Sequence, residues 1–297
     1  SLSPHTPSLQ PHSHRRPAMS IADESGKEFK AALLGGAPKM GLFLNGSSPT
    51  IAEQLSADTG YDWLLVDTQH GPMNPENLQN MLAAIHCGRA KSMVRVRSPK
   101  DFEGMQTALD SGADGIMVPC VNTAAEAKAA VAACLYPTAG TRSVYYPQRC
   151  TNKKRLLGYV GNANANVIVC AQVETASCIE NLEEVAAVPG LDMLFLGQND
   201  LCMSMGLYEK YEFPKMYTSE ELNTATAKLV DLAKKNGKIL GIFLFGTDRV
   251  KEFLEQGFTY IAVGNELHHI KTQAEAYMKA LEEAASGAGK AWKNPRP

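Results

Sequence analysis

The sequence predicts a single (β/α)8 TIM barrel of the α/β class, with its active site at the C-terminal ends of the strands. Three observations carry this. Eight short apolar runs alternate with helix-period segments from residue 40 onward, glycines punctuate the helix-to-strand junctions, and four of the runs end in an acid, a base or a cation. Strands alternating with helices call for a parallel sheet. Reactive groups gathered at one end of successive parallel strands are how a closed barrel of this kind builds its site. An open doubly wound sheet is the alternative, but no G-x-G-x-x-G follows the first run.

In order, the candidate strands are 40–45, 62–67, 92–96, 115–119, 167–174, 193–197, 239–245 and 260–264. Gly60, Gly112 and Gly257 each end a helix and are followed four and six residues later by apolar strand positions: Leu64 and Val66, Ile116 and Val118, Ile261 and Val263. The unequal spacing of these copies is the cadence of helix–glycine–strand units, not a solenoid repeat. Thr123 and Glu126 read as a capping box that starts a helix. Over 221–236, Leu222, Ala225, Leu229, Leu232 and Ala233 recur at helical spacing, and Gly237 stops that helix. The longest irregular stretches, 136–166 and 201–218, are expected to be functional loops. Residues 1–18, dominated by Ser, Pro and His, are expected to be a disordered tail. The barrel domain is expected over 19–285 and a flexible tail over 286–297. Met19 is a candidate start.

The 297 residues suffice for one large α/β barrel, and a net charge of −2 gives no reason to expect nucleic acid or an anionic membrane as partner. No apolar stretch approaches the roughly 20 residues that cross a bilayer. The seven cysteines are scattered and never form C-x-x-C, which fits a reducing, cytoplasmic compartment and argues against a zinc or redox site.

The chemistry sits at the strand ends. Glu174 and Asp200 close two successive strands about 26 residues apart in sequence. Two converging carboxylates without clustered His or Cys suit a hard cation, Mg²⁺ or Mn²⁺, with positions left for substrate and water. They equally suit strand-end acids bonded to loop amides or an arginine. His70 follows Asp67 by three residues, and a carboxylate beside an imidazole suits general acid–base catalysis. An ordinary surface histidine is the competing reading. Arg95 ends an otherwise apolar strand and needs an anion, either a substrate carboxylate or enolate or one of these acids. Arg97 is expected to point elsewhere, out of phase with Arg95. No candidate strand ends in lysine, which argues against a Schiff-base aldolase.

Together these motifs resemble the HpcH/HpaI family of metal-dependent 2-oxo acid aldolases, over about residues 38–282. The matching text is Gly60-Tyr-Asp-Trp-Leu-Leu-Val-Asp67-x-x-His70-Gly-Pro, Val94-Arg95, Asp110-Ser-Gly-Ala-x-x-Ile-Met-Val-Pro119, Tyr136-Pro137-x-x-Gly140-x-Arg142, Gln172-Val-Glu174 and Gly197-x-x-Asp200-Leu201. Fungal macrophomate synthase belongs to the same superfamily, and the chain is expected to lie closer to that branch than to bacterial catabolic aldolases. The resemblance implies a divalent-metal-dependent carbon–carbon lyase, or class II aldolase, acting through a pyruvate enolate. Glu174 and Asp200 would hold the ion that chelates pyruvate or oxaloacetate, and backbone amides near Asn199 would hold the substrate carboxylate. Arg95 would stabilise the enolate oxygen, Gln172 would line the pocket, and His70 with Asp67 would move protons through a bound water. An aldehyde or other acceptor would be the second substrate. The resemblance also implies a homo-oligomer, typically a hexamer, with Asp110 reaching the site from a neighbouring subunit.

The chain departs from the family pattern in three places. Gln69 stands where the family has Glu, Gln198 replaces a metal-loop proline, and the stretch from Arg142 to Arg149 is unusually aromatic and cationic. That stretch could stack on a larger, flatter acceptor or pack on the barrel rim. Related readings are an oxaloacetate decarboxylase and a macrophomate synthase-like enzyme that traps the enolate. A catalytically silent barrel that binds a 2-oxo acid is the reading from another class.

Overall fold

Every predicted strand forms, with ends within one residue of those expected. In the computed structural model, which describes residues 25–145, 149–151, 156–290 and 292, they are β1 (Lys39–Leu44), β2 (Trp63–Asp67), β3 (Lys91–Arg95), β4 (Gly115–Val118), β5 (Ile168–Val173), β6 (Met193–Leu196), β7 (Ile239–Leu244) and β8 (Tyr260–Asn265). They pair in parallel and in sequence order, and β8 returns to β1 to close the barrel. The expected tail over 1–18 lies outside the described residues.

Helices α1 (Gly26–Leu34), α2 (Pro49–Asp58), α3 (Pro75–Ile85), α4 (Phe102–Asp110) and α5 (Ala124–Cys134) belong to the first half. Next come α6 (Leu156–Asn166), α7 (Ala176–Glu180), α8 (Leu182–Ala186), α9 (Gln198–Ser204) and α10 (Leu207–Lys210). The chain ends with α11 (Glu220–Lys235), α12 (Val250–Glu255) and α13 (Glu266–Gly287). The capping box at Thr123 and Glu126 opens α5. The 201–218 stretch is more ordered than expected, since it holds the end of α9, α10 and a 3-10 turn at Lys215–Thr218.

Strand side chains alternate between two cores, as the period of two requires. Phe43, Trp63, Leu65, Met93, Met117, Cys170 and Phe195 fill the lumen. Leu42, Leu64, Val66, Val94, Ile116, Val169 and Leu194 face the helical jacket. The lower lumen is tight. Trp63 stacks on Tyr260 at 3.8 Å, and a Cβ on Gly41 would lie 2.1 Å from the Trp63 ring, so β1 needs glycine there. Phe29 and Leu33 of α1 join this core, plugging the N-terminal end of the barrel. No strand or helix is expected ahead of residue 40, so α1 is an addition to the predicted elements.

The glycine cadence has a physical basis. Gly60, Gly112 and Gly257 take positive φ just past α2, α4 and α12, and Gly237 does so past α11, as helix-ending C′ residues do. After Gly60, Gly112 and Gly190 an aspartate follows two residues on. Asp62, Asp114 and Asp192 each accept the backbone N–H of a preceding strand (Met40, Ser92 and Val169), every time at 2.9 Å. This repeated bond fixes register at the lower rim and leaves the upper rim free for chemistry.

Candidate active site

The upper end of the lumen opens into a cavity of about 600 Å³. Strand phase decides what enters it. Asp67 continues the lumen series Trp63 and Leu65, Arg95 follows Met93, Gln172 and Glu174 follow Cys170, and Gly197 follows Phe195. The strand-end signatures therefore converge because each occupies the top lumen-facing layer.

Arg95 and Asp67 form a bidentate pair. Arg95 Nε donates to Asp67 Oδ1 at 2.9 Å and Nη2 to Oδ2 at 2.7 Å. Asp67 has no solvent exposure and also accepts from Asn45 Nδ2 at 2.6 Å and from the backbone N–H groups of Gln69 and His70 at 3.0 and 3.3 Å. The expected Asp67–imidazole contact is thus replaced. Asp67 reaches His70 through its main chain, and its charge is spent on Arg95. The His70 side chain lines the cavity mouth. Arg95 Nη1 is 3.5 Å from Gln172 Oε1, and the guanidinium lies over the Phe43 ring. Arg97 does point away, but not for reasons of phase: β3 has ended, and Asp101 captures its guanidinium.

Glu174 is 2 % exposed. Its Oε1 accepts the Cys120 backbone N–H at 2.6 Å, and its Oε2 accepts from Gln172 Nε2 at 3.0 Å. Burial raises its pKa above the ordinary carboxylate value, and the nearby charge of Asp200 adds to that rise. Asp200 sits in the first turn of α9 and lines the same cavity. The structure also makes room for Glu174 at Gly197, where a Cβ would lie 2.5 Å from Glu174 Oε2. Two carboxylates therefore share a site whose nearest cation, Arg95, is already committed to Asp67. Burial and these same carboxylates push the Cys120 thiol up to about 12, so it stays protonated and the available donors are hard oxygens. This set fits a divalent ion. Among the described residues, no third His, Cys, Asp or Glu joins a metal-binding group, so substrate and water would complete its coordination.

Several neighbours of the candidate site carry no signal in the sequence. Cys120, with φ of 51°, is the one non-glycine at positive φ among the described residues, and this turn aims its N–H at Glu174. Asn122 anchors the turn: its Nδ2 donates to the Cys120 carbonyl, and its Oδ1 accepts the Thr175 hydroxyl. Glu266, buried at the start of α13, accepts the backbone N–H groups of Asn45 and Gly46 and so steadies the loop that supports Asp67. No motif marks any of them, because each acts through a backbone group or from a distant loop.

Asn199 lines the cavity, with its Oδ1 accepting from Tyr217 Oη at 2.6 Å. Asp110 does not line it. Asp110 lies at the end of α4, paired with Arg142 at 2.9 Å and with Gln106. None of the described residues of the aromatic-cationic stretch lines the cavity either. Arg142 is buried against Tyr136, Tyr145 is exposed, and Tyr146 lies outside the described residues. The aromatic wall is built instead by Phe213, Tyr217, Phe243 and Phe245. All seven cysteines are free, and no described helix is long and apolar enough to cross a membrane.

In sequence and fold the chain is similar to known proteins. Residues 39–272 match the HpcH/HpaI aldolase/citrate lyase family. The chain is 39% identical over 237 residues to a 4-hydroxy-2-oxovalerate aldolase of Novosphingobium aromaticivorans, covering 80% of this chain and 87% of that protein. It is 34% identical over 249 residues to the 4-hydroxy-2-oxo-heptane-1,7-dioate aldolase of Escherichia coli, covering 84% and 92%. Among solved structures, macrophomate synthase superposes with a TM-score of 0.76 at 25% identity, covering 87% of this chain and 90% of that one. The chain is thus nearer in sequence to the two aldolases than to that synthase.

Proposed function

Since the chain belongs to the HpcH/HpaI aldolase/citrate lyase family, we propose that it is a divalent-metal-dependent carbon–carbon lyase that cleaves or forms 4-hydroxy-2-oxo acids through a pyruvate enolate. The observation that carries this is the pairing of Glu174 and Asp200 in one cavity opposite Arg95. No lysine is among the described residues that line it, so the chain offers no Schiff-base nucleophile there.

Glu174 and Asp200 would hold Mg²⁺ or Mn²⁺, and the bound ion would act as a Lewis acid toward the 2-oxo acid. The chain's own residues do the rest. Asp67 locks the guanidinium of Arg95, so its remaining edge meets the substrate oxygen on which negative charge develops, a preorganised donor of the oxyanion-hole kind. Gln172 and Cys120 hold the Glu174 carboxylate in place. Gln172 and Asn199 line the space for the 2-oxo acid. The His70 imidazole, at the mouth, takes the proton from the C4 hydroxyl during cleavage. It returns a proton during carbon–carbon bond formation.

The same reading includes a homo-oligomer, hexameric by family resemblance. Leu267, Ile270, Tyr277 and Leu281 recur along one face of α13, and each is more than half exposed. Such a stripe favours coverage by another copy, and light scattering on the eluted protein should return a multiple of the 32.1 kDa protomer mass. Where Asp110 lies in that assembly would follow from its structure.

Deuterium exchange of pyruvate methyl protons, followed by NMR, tests the chemistry. Exchange is expected with Mg²⁺ or Mn²⁺, is lost with EDTA and in Glu174→Ala, and is reduced in His70→Ala. Loss of CO₂ from oxaloacetate without exchange would favour a decarboxylase. Inactivity in both assays would favour a silent 2-oxo acid-binding barrel.

A further inference from the structure

The outer half of the cavity differs in kind from the inner half. From the lumen outward, aromatic rings run as a ladder. Phe43 meets Phe243 at 5.3 Å, Phe243 meets Phe245 at 5.5 Å, Phe245 meets Tyr217 at 6.1 Å, and Tyr217 meets Phe213 at 5.8 Å. Phe43 touches the Arg95 guanidinium, so the ladder starts at the proposed reacting centre and ends at the rim. At the rim, Phe213 is 67% exposed and Phe245 52%. Large apolar side chains left open around a concave site mark a surface awaiting an apolar ligand.

Charge narrows the ligand further. Three cationic or potentially cationic side chains line the cavity: Arg95, His70 and Arg249. Arg249 is the one guanidinium at the outer end among the described residues, and it is not free. Its Nε and Nη2 bond both oxygens of Glu252 at 2.8 and 2.6 Å, and its Nη1 donates to the Tyr217 carbonyl at 3.0 Å. Asp248 beside it adds a negative charge to the lining. A second carboxylate carried outward on the acceptor would meet aromatic faces and an acid, and among the described residues that line the outer end no guanidinium or ammonium group is left uncommitted to offset its desolvation. A flat uncharged ring would stack edge-to-face on the ladder.

We propose that this outer wall selects an uncharged acceptor aldehyde bearing an aromatic or similarly flat apolar substituent, and that it disfavours acceptors with a distal carboxylate. The proposal rests on the enolate-lyase reading above and names the second substrate class of that site. In cleavage, the C4 hydroxyl of a 4-aryl-4-hydroxy-2-oxo acid gives up its proton and the C3–C4 bond breaks. Its electron pair goes to the pyruvate enolate, and C4 leaves as the aryl aldehyde. One proton returned to C3 completes pyruvate, so nothing is oxidised or reduced and no co-reactant is consumed.

The test uses the full chain with Mn²⁺ and follows pyruvate release with lactate dehydrogenase. Its substrates are racemic 4-hydroxy-2-oxo-4-phenylbutanoate, 4-hydroxy-2-oxovalerate and 4-hydroxy-2-oxo-heptane-1,7-dioate. Pyruvate methyl exchange is measured first on the same preparation, and its absence would sink the enolate reading and this proposal together. With exchange present, the phenyl compound should exceed the dioate in kcat/KM by roughly tenfold or more, the range a shaped apolar pocket supplies. Phe245→Ala and Phe213→Ala should each lower the phenyl-to-methyl ratio of kcat/KM several-fold. Phe245→Arg, which adds a cation at the outer end, should raise the dioate relative to the phenyl compound. A wild-type protein that exchanges pyruvate protons yet cleaves the dioate as well as the phenyl compound overturns the proposal and leaves the enolate reading standing. Alanine variants that keep the wild-type ratio also overturn it.

Discussion

Asp67→Ala is the substitution on which the structure has most to say, because it separates two roles for this carboxylate. Asp67 accepts five hydrogen bonds: two from Arg95, one from Asn45, and one from each backbone N–H of Gln69 and His70. The Arg95 side chain is only 11% exposed, and without Asp67 it keeps one long hydrogen bond, 3.5 Å to Gln172, and its place over the Phe43 ring, neither of which supplies a counter-charge. Removing one partner of a buried ion pair costs about 3–5 kcal/mol, chiefly for the charge left unpaired. At roughly 2 °C per kcal/mol for a domain of this size, the melting temperature should fall by about 6–10 °C at fixed protomer concentration. Asp67→Asn keeps the shape and one acceptor oxygen but sets amide hydrogens against donors, so its fall should be smaller yet clear. The surviving folded protein should also lose roughly 10²-fold in metal-dependent pyruvate exchange, since an unmoored guanidinium misplaces the charge it must meet. Thermal denaturation by circular dichroism and NMR exchange on the same samples check both arms. A melting temperature for Asp67→Ala within about 2 °C of wild type would refute the argument that Asp67 serves Arg95.

Two further substitutions probe the surroundings. Gly197→Ala places a Cβ 2.5 Å from Glu174 Oε2, so the carboxylate must move. Saturating Mn²⁺ should then raise the melting temperature by less than the roughly 5 °C that about 2.7 kcal/mol of ligand stabilisation gives wild type at 100 times Kd, and the metal-free protein should itself melt lower, because the added Cβ also lies 2.7 Å from Glu174 Cβ. Phe29→Ala empties the plug under Tyr260 and should cost about 3–5 kcal/mol by urea denaturation, with metal affinity unchanged because the plug lies at the opposite end of the barrel.

The strands were legible because all eight are buried on both faces, which forces near-continuous apolar runs with little room for ambiguity. The inner half of the site was legible for a related reason. A polar residue that ends such a run is expensive to bury unless it has a use, so Asp67, Arg95, Gln172 and Glu174 stand out against their neighbours. Helix α1 was not legible. Its Phe29 and Leu33 belong to the lumen core, but a short amphipathic helix ahead of the first strand carries no signal of what it covers.

The remainder shows where sequence patterning loses its grip on function. Asp67 and His70 stand three apart, which suggests a dyad, yet the carboxylate takes two charge-assisted bonds from a guanidinium on the next strand and meets His70 only through its backbone N–H. The aromatic wall was sought between Arg142 and Arg149, where tyrosines crowd together in sequence. It is built from Phe43, Phe213, Tyr217, Phe243 and Phe245, spread over the ends of β1 and β7 and the segment between α10 and α11. Apolar residues at a strand end or in a loop look like core or chance until the barrel closes and brings them face to face. Polar strand ends therefore announce the proposed reacting centre of this barrel in its sequence, whereas the aromatic outer wall of the cavity is written in residues whose spacing carries no period.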